Sequence, residues 1–348
     1  GHSSPVLWDD TIYLTATLGE GLRSLIALDA KDGKEKWRTE HAFAPYSQHR
    51  FNNFAASTPA CDGKRVYLTW TSPQGAEALA VDHSGETVWK KTLGSFYAKH
   101  GSAASPVLAG GVVMVSSLGE KDGSFIVGLE PKNGEEKWRL ERESNDKGSY
   151  STPLLREAED GVLEAIFTST AHGITALDPK TGKVRWEHNP DFSQRCVGGP
   201  VISGETIFAS AGSGGGGKES TVIRVKDGKV EAAWEASRKG LPYVPTGVAF
   251  KGLIFLLNDG GVMTCTRASD GEILWQERAV GAPYASPIVI GDKIYCCSKE
   301  GELAVLEATD KFKPVSSYKF PDGIYATPAV AGGKLYVRTF SKLYCIGE

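Results

Sequence analysis

A pair of short marks recurs along the whole chain, and it constrains the fold more than any other feature. The first mark is a Ser/Thr-Pro dipeptide that opens a short apolar run. The second is an aromatic residue 28–34 positions later. Successive first marks lie 40–54 residues apart, which is the spacing of a repeat architecture. The first marks centre on Pro5, Pro59, Pro106, Pro153, Pro200, Gly247 in place of proline, Pro287 and Pro328. The aromatic residues are Trp37, Trp89, Trp138, Trp186, Trp234, Trp275 and, in the seventh unit, Tyr318.

Each repeat divides into four short runs that are predicted to be strands. In the fourth unit they read STPLL, VLEAIFTST, GITALD and KVRWEH, with the two-residue alternation of half-buried strands. The turns contain pairs such as Asp32-Gly33, which tolerate positive φ. No window shows a helical stripe, and four-stranded units of this length are propeller blades. The sequence therefore predicts an all-β, eight-bladed β-propeller with four-stranded antiparallel blades, forming a single domain over residues 1–348.

The last unit is shorter than the others. The blades are expected to start near residues 3, 57, 104, 151, 198, 245, 285 and 326, and the eighth contains only three predicted strands. An unpaired sheet edge promotes aggregation. We therefore expect the missing outer strand to come from sequence upstream of Gly1, with an open three-stranded edge as the alternative.

The repeated tryptophan is expected to pack between neighbouring blades. One indole buries about 150–250 Å², which corresponds to about 4–6 kcal/mol as an upper value. The segment ALDPKTGKVRW, Ala176–Trp186, resembles the tryptophan-docking motif A-x-D-x-x-T-G-x-x-x-W of pyrroloquinoline quinone (PQQ) repeat proteins. The chain is similar to that family along its whole length, and closest to bacterial members without a demonstrated cofactor. The resemblance implies eight blades and kinship in fold with PQQ-dependent alcohol dehydrogenases and with the lipoprotein scaffold of the outer-membrane assembly machine.

Charge and cysteine content narrow the possible partners. A net charge of −3 without a long basic run argues against nucleic acid, and no apolar stretch is long enough to span a membrane. The six cysteines show no C-x-x-C spacing, which disfavours zinc. Cys265 and Cys345 are predicted to be small core residues. Cys296 and Cys297 lie in one predicted strand, where alternation favours packing on opposite faces over a vicinal disulfide.

The stretch GSGGGGKES, 212–220, nearly completes a phosphate-binding loop. Such a loop needs a helix after it, but both flanks are predicted strands. Glu219 also stands where the magnesium-binding hydroxyl would be. The stretch is therefore predicted to be a hairpin loop.

One face of the propeller should carry the functional residues. Residues that precede each first mark, and the loops between second and third strands, are expected to surround one mouth of the central channel. Tyrosines there can instead cap blade edges, and the histidines can instead pack or hydrogen-bond within loops. The long insertion EHAFAPYSQHRFNNFAA, 40–56, is the best single recognition candidate. The ligand-binding candidates are His49, Arg50, Asn52, Asn53, His100, Tyr150, His172, Arg195, Tyr243, Tyr284 and Tyr325.

Two classes of function follow. The favoured one is a non-catalytic binding or scaffolding propeller without a cofactor, exported to the periplasm or secreted, that recognises a protein, peptide or glycan. The alternative is an oxidoreductase that uses PQQ with calcium, or a metal. Such a site needs oxygen ligands and a basic residue. Asn53, Arg195, Asp259 and Glu300 could supply parts of it, although no spacing selects them. A sensor domain of a larger membrane protein is a third possibility.

Overall fold

A computed structural model describes residues 1–19, 21–121, 123–214 and 218–347. The chain forms two compact units. Unit 1 contains residues 1–155, 163–165 and 177–184, and unit 2 contains residues 156–162, 166–176 and 185–348. Sequence-adjacent strands pair in antiparallel fashion, and each resulting sheet is called a blade and numbered in chain order.

Blades one to three belong to unit 1, and each has four strands in the order of the sequence. Their strands are β1 Val6–Trp8, β2 Thr11–Thr17, β3 Leu22–Asp29, β4 Glu35–Ala42, β5 Ala60–Cys61, β6 Arg65–Ser72, β7 Gly75–Asp82, β8 Thr87–Gly94, β9 Val107–Ala109, β10 Val112–Ser117, β11 Ser124–Leu129 and β12 Glu136–Arg142. Blade four contains residues of both units, with strands β13 Leu154–Glu157, β14 Leu163–Ser169, β15 Gly173–Leu177 and β16 Val184–His188.

Blades five to eight belong to unit 2. Their strands are β17 Val201–Ser203, β18 Thr206–Gly212, β19 Lys218–Lys226, β20 Lys229–Ala232, β21 Val248–Phe250, β22 Leu253–Leu257, β23 Val262–Arg267, β24 Ile273–Arg278, β25 Ile288–Ile290, β26 Lys293–Cys297, β27 Glu302–Glu307, β28 Pro314–Lys319, β29 Ala329–Ala331, β30 Lys334–Arg338 and β31 Leu343–Ile346. In the described part of the chain the eighth blade has three strands and the others have four, as predicted. The helix of the described residues is the short 3₁₀ turn Arg238–Gly240, and none of their helices could cross a membrane.

The hydrophobic core lies between adjacent blades. In blade three, strands β10 and β11 are fully buried, whereas the outer strand β12 is mostly exposed or half-buried. Blades two and three share one cluster that includes Tyr67 and Phe125. Each sheet therefore buries its apolar residues against the next sheet, which is why one blade cannot be stable alone.

The docking tryptophans connect each blade to the following one. In five blades the indole N–H donates to a main-chain carbonyl in the turn after the third strand of the next blade, at 2.8–3.0 Å. The pairs are Trp37 with His83, Trp89 with Pro131, Trp138 with Pro179, Trp234 with Ala268 and Trp275 with Thr309. Trp186 is buried, and the guanidinium of Arg156 lies 5.9 Å from its ring.

In four of these turns a glycine lies directly under the indole ring. The turn that accepts the Trp275 indole at Thr309 contains no glycine. Gly134 has φ +72°, and a Cβ there would lie 2.7 Å from the ring of Trp89. Gly271 has φ +79°, and its Cβ would lie 2.5 Å from Trp234. The glycine of these N-G and D-G turns thus supplies a left-handed backbone, and its lack of a Cβ lets the indole ring pack directly on the turn.

The Ser/Thr-Pro mark has a structural role that the sequence did not reveal. In most blades the residue just before this proline, or before Gly247 in its place, donates its backbone N–H to the hydroxyl of the equivalent residue in the next blade. Gly199 in blade five has no hydroxyl and does not accept such a bond. In unit 1 this series runs from Ser4 to Thr58 at 2.9 Å and from Thr58 to Ser105 at 3.0 Å. In unit 2 it runs from Thr246 to Ser286 at 3.0 Å. We call this series the hydroxyl relay.

Blade seven corrects one expectation from the repeat. The docking tryptophan pairs with the residue just before a bulge, as Trp275 pairs with Cys265. In blade seven that position is Ser316, opposite Val305. Tyr318 was therefore assigned wrongly as the docking residue, since it lies two residues after Ser316 and pairs with Leu303. The side chain of Tyr318 is 59% exposed.

The cysteines and the glycine-rich stretch otherwise follow the sequence. Cys296 packs in the cluster between blades six and seven, and Cys297 in the cluster between blades seven and eight. Cys265 is buried, but Cys345 is exposed on the edge strand β31, so its prediction as a core residue was wrong. Strands β18 and β19 flank the glycine-rich stretch, so no helix follows it. Its residues 215–217 lie outside the described part of the chain.

Candidate functional site

The insertion between blades one and two brings several predicted residues together in unit 1. The rings of His49 and His100 lie 5.3 Å apart, edge to face. The side-chain nitrogen of Asn52 donates to the main-chain oxygen of His100 at 2.8 Å. The guanidinium of Arg50 lies 4.6 Å from the ring of Phe51. His49 and Arg50 are exposed, so this group presents imidazole and guanidinium to solvent.

Two other predicted residues of unit 1 are held by neighbouring loops. The side-chain oxygen of Asn53 accepts hydrogen bonds from the Thr17 hydroxyl at 3.0 Å and from the Ala55 amide at 2.9 Å. The Tyr150 hydroxyl donates to Glu120 at 3.4 Å. Both side chains therefore fix loop geometry, and Asn53 uses its amide oxygen to do so.

In several blades a carboxylate near the loop between the second and third strands accepts hydrogen bonds from backbone amides. These amides belong to the segment that precedes the first strand of the same blade. Glu120 accepts from the amide of Lys99 at 3.1 Å in blade three. Asp259 accepts from the amide of Tyr243 at 3.0 Å in blade six. Glu219 binds backbone amides in the same way in blade five. These acidic residues stabilise the loop face of their own blades.

The predicted residues of blades four to six contact neighbouring groups. His172 Nδ1 lies 3.4 Å from the carboxylate of Glu187. The backbone of Arg195 forms a bridge with Gly212. The ring of Tyr243 packs on Gly212, where a Cβ would lie 2.9 Å away. Tyr243 thus covers the start of the glycine-rich loop.

A group of three aromatic side chains lies on blades seven and eight of unit 2. The rings of Tyr284 and Tyr325 are 5.0 Å apart at 84°, and those of Tyr325 and Phe340 are 4.8 Å apart at 61°. Lys299 Nζ lies 4.6 Å from the ring of Tyr284. We call Tyr284, Tyr325 and Phe340 the aromatic strip. Burial, followed by the charge of Glu300, raises the pKa of Tyr325, so its hydroxyl stays protonated at neutral pH.

Sequence reasoning found the two tyrosines of the strip but missed Phe340 and Lys299. Phe340 is 55% exposed and lies between the second and third strands of blade eight. This is the kind of loop that was expected to share a face with the tyrosines, so its position was a usable signal. Lys299 immediately precedes Glu300, which the sequence did single out.

Two of the four residues that the sequence offered for a calcium–quinone site already have hydrogen-bond partners in their own loops. Asn53 and Asp259 already accept hydrogen bonds from their own loops, and Asp259 also pairs with Lys218 at 2.8 Å. Cys296 and Cys297 pack in different clusters on either side of β26. Among the described residues, no group of three or more His, Cys, Asp or Glu side chains is arranged to hold a metal.

The sheets, the docking motif and the loop residues define the class of protein, an eight-bladed β-propeller with four-stranded antiparallel blades. Solved structures with this fold are similar over nearly the whole chain. BamB from Moraxella catarrhalis is 17% identical with a TM-score of 0.66, covering 99% of this chain and 96% of that one. A quinohemoprotein alcohol dehydrogenase from Comamonas testosteroni is 13% identical with a TM-score of 0.65, covering 97% of this chain and 70% of the other. At these identities the likeness shows the fold.

The chain belongs to the PQQ_2 family, described as outer membrane protein assembly factor BamB, which matches residues 21–250 and 218–311. A polyvinylalcohol dehydrogenase from Pseudomonas sp is 22% identical over 338 residues, 91% of this chain and 47% of that protein. A tetrathionate hydrolase from Acidithiobacillus ferrooxidans is 24% identical over 337 residues, 89% of this chain and 63% of that protein. The chain therefore spans about half of the length of the first curated relative and less than two-thirds of the length of the second.

Proposed function

We propose that this chain is a non-catalytic binding or scaffolding propeller, exported to the periplasm or secreted, that holds a protein partner on its loop face. The family description, an outer membrane protein assembly factor, supports a protein partner and this location. A peptide or a glycan would use the same kind of surface. The observation that carries the proposal is the aromatic strip.

The aromatic strip has the properties of a binding surface. Aromatic residues are enriched at protein interfaces, because they offer large apolar contact at low cost in side-chain entropy. Phe340 is exposed although its ring makes an edge contact with Tyr325, and Lys299 adds a cation beside Tyr284. Tyr284 and Tyr325 arise from the segments that enter blades seven and eight, so the rigid sheets position them.

The second candidate is an oxidoreductase. A dehydrogenase stands among the relatives, and quinohemoprotein dehydrogenases share the fold. This candidate requires ligands for a cofactor, and the prior engagement of Asn53 and Asp259 counts against it. Calcium with PQQ would supply an electron acceptor and a Lewis acid, and the calcium would need oxygen ligands that these two residues already use for their own loops.

Peptide selection on the intact chain tests the binding proposal. A phage-displayed library of random peptides is selected against the wild-type chain, and the affinity of a selected peptide is measured by fluorescence polarisation. We expect Phe340→Ala to weaken binding about 10–100-fold without changing the melting temperature. Tyr97→Ala is the matched control, because Tyr97 is 49% exposed beside Lys121 in unit 1. Equal losses in both variants, or none in Phe340→Ala, would refute the proposal.

A cofactor titration tests the second candidate. PQQ and calcium are added together while the absorbance spectrum and the melting temperature are recorded. We expect neither to change. Saturable binding with a rise of several degrees would instead establish the chain as a quinoprotein.

A further inference from the structure

The turn of blade three that receives the Trp89 indole, residues 130–135, contains the sole Asn-Gly pair of the sequence, Asn133-Gly134. Asparagine is a thermolabile residue. A following glycine favours its deamidation, because no Cβ hinders the approach of the glycine nitrogen to the asparagine side chain. A chemically reactive pair therefore lies directly at the packing contact between blades two and three.

The two residues of this pair have opposite environments. Asn133 is exposed, and its side-chain nitrogen, the leaving group in deamidation, makes no hydrogen bond among the described residues. Gly134 is buried and its N–H donates to the Glu130 main-chain oxygen at 2.8 Å. The leaving group is thus open to water, while the attacking nitrogen is held by the fold.

Equivalent turns of the same chain show that the product of deamidation fits. The side-chain oxygen of Asn133 accepts from the amide of Glu135 at 3.1 Å. Asp32 and Asp270 also precede the glycine of their turns, and each accepts from the amide two residues later at 3.0 Å. Aspartate at position 133 can therefore make the hydrogen bond that asparagine makes there.

We propose that Asn133 is a site of spontaneous deamidation whose rate is set by how often this turn separates from Trp89. In the open turn a base removes the proton of the Gly134 nitrogen, which bonds to Cγ of Asn133. The side-chain nitrogen leaves as ammonia, and a five-membered succinimide remains. Water then adds to either ring carbonyl and gives aspartate or isoaspartate. Over both steps one water is consumed and one ammonia is released, with no change in oxidation state.

The closed turn opposes the first step. The hydrogen bond to Glu130 keeps the proton on the Gly134 nitrogen, and the Trp89 indole N–H donates to the Pro131 oxygen at 2.9 Å. Local opening costs less free energy than global unfolding. The rate in the native chain is therefore the rate in the unfolded chain multiplied by the fraction of molecules in which this turn is open.

The two products have different effects on the packing of the blades. Aspartate keeps the length of the backbone. Isoaspartate carries the main chain through the side chain of residue 133 and adds one methylene group before Gly134. A Cβ on Gly134 would lie only 2.7 Å from the ring of Trp89, so the longer backbone displaces the glycine from beneath the indole. Isoaspartate therefore favours the open turn, whereas aspartate does not.

Peptide mapping by mass spectrometry measures the reaction. The intact chain is incubated at mildly alkaline pH in water enriched in heavy oxygen, and electron-transfer fragmentation separates aspartate from isoaspartate. We expect both products at Asn133 and slower reaction at Asn258, which precedes Asp259. The urea-unfolded chain should react at least about tenfold faster than the native chain. Equal rates in the two states, or aspartate without isoaspartate, would overturn the proposal.

Variants of the docking residues separate local opening from global unfolding. Trp89→Phe removes the hydrogen bond to Pro131 and should raise the native rate about tenfold. Trp37→Phe is the matched control, because it loses the equivalent bond to the His83 oxygen at 2.8 Å, between blades one and two. It should lower the melting temperature but leave the rate at Asn133 unchanged. Equal acceleration in both variants would assign the reaction to global unfolding and contradict the proposal.

Two substitutions at the site complete the test. Asn133→Gln cannot form the five-membered ring and should abolish the mass change in this peptide. Asn133→Asp should melt like the wild type, as the turns at Asp32 and Asp270 indicate, and a clear fall in its melting temperature would refute the fit of the product. If Trp89→Phe does not fold, the ratio of native to unfolded rates in the wild type decides the question.

Discussion

His41 lies where a positive charge is costly. Burial lowers its pKa most, and the charges of Lys90 and Arg23 lower it further, while Glu77 opposes them. These four groups pack together at the boundary of blades one and two. In the unfolded chain the imidazole has its ordinary pKa of about 6.5. The unfolded chain therefore binds a proton at higher pH than the folded chain does.

The first prediction follows from that difference. Stability from neutral His41 is present above about pH 6.5 and is lost as the pH falls toward the lowered pKa of the folded state. We expect His41→Gln to reduce the loss of unfolding free energy between pH 7.5 and pH 5, measured by urea denaturation. Lys90→Gln should reduce it less, because it raises the His41 pKa. An acid loss in His41→Gln as large as in wild type would contradict this assignment.

The glycine that lies under a docking tryptophan ring gives a second prediction. Gly134 and Gly228 have φ of +72° and +70°, but only Gly134 lies under a tryptophan ring; nothing is within 4 Å of a Cβ at Gly228. Alanine should cost about 1–2 kcal/mol at Gly228 from backbone strain. At Gly134 it should cost about 1–3 kcal/mol more from overpacking against Trp89. Urea denaturation of both variants measures the difference, and equal costs would show that the ring contact is unimportant.

At the scale of the strand, the hydroxyl relay explains the repeated Ser/Thr-Pro mark. Proline has no N–H, so the residue before it provides the last donor ahead of the innermost strand. A third prediction is that Thr58→Val costs about 1–3 kcal/mol, since the Ser4 amide loses its acceptor. Thr58→Ser keeps the hydroxyl and should be nearly neutral. Hydrogen exchange at the Ser4 amide should accelerate in Thr58→Val alone; unchanged exchange would argue against the relay.

Strand positions were predictable to different degrees. The alternation in units such as blade four was sufficient to place strands, and the D-G and T-G pairs placed the turns. The register was harder. In blade five, β20 ends at Ala232, before Trp234, yet that indole still reaches Ala268. In blade seven the bulge moved the docking position to Ser316, because spacing along the sequence does not show where a bulge inserts a residue.

The site was less predictable than the fold because it depends on contacts between loops. Imidazoles such as His49 and His100 were placed together by packing of the insertion, which no spacing reveals. The hydrogen bond from a backbone amide to the Asp259 carboxylate could not be predicted from the sequence either. Exposed aromatic residues in corresponding loops gave the useful signal, and applying it to every blade would have found Phe340.

For the whole molecule, the repeat predicts that the β-sheets and the docking tryptophans lose their native environment in one unfolding transition. Each blade buries its apolar faces only against its neighbours. A fourth prediction is that unfolding followed by tryptophan fluorescence and by far-UV circular dichroism gives coincident transitions. Fluorescence that changes at lower urea than circular dichroism would show that blades separate before their sheets unfold.

The hydroxyl relay also bears on how such a chain can change in length over evolution. Where the relay is continuous, a unit brings one donor for the following unit and one acceptor for the preceding unit, as Thr58 does between Ser4 and Ser105. Duplication or deletion of an entire unit therefore conserves the match of donors to acceptors at its boundaries. Loss of part of a unit would leave one donor or acceptor without its partner. Gene rearrangements that add or remove whole repeats of the Ser/Thr-Pro mark are therefore the ones that leave a foldable product.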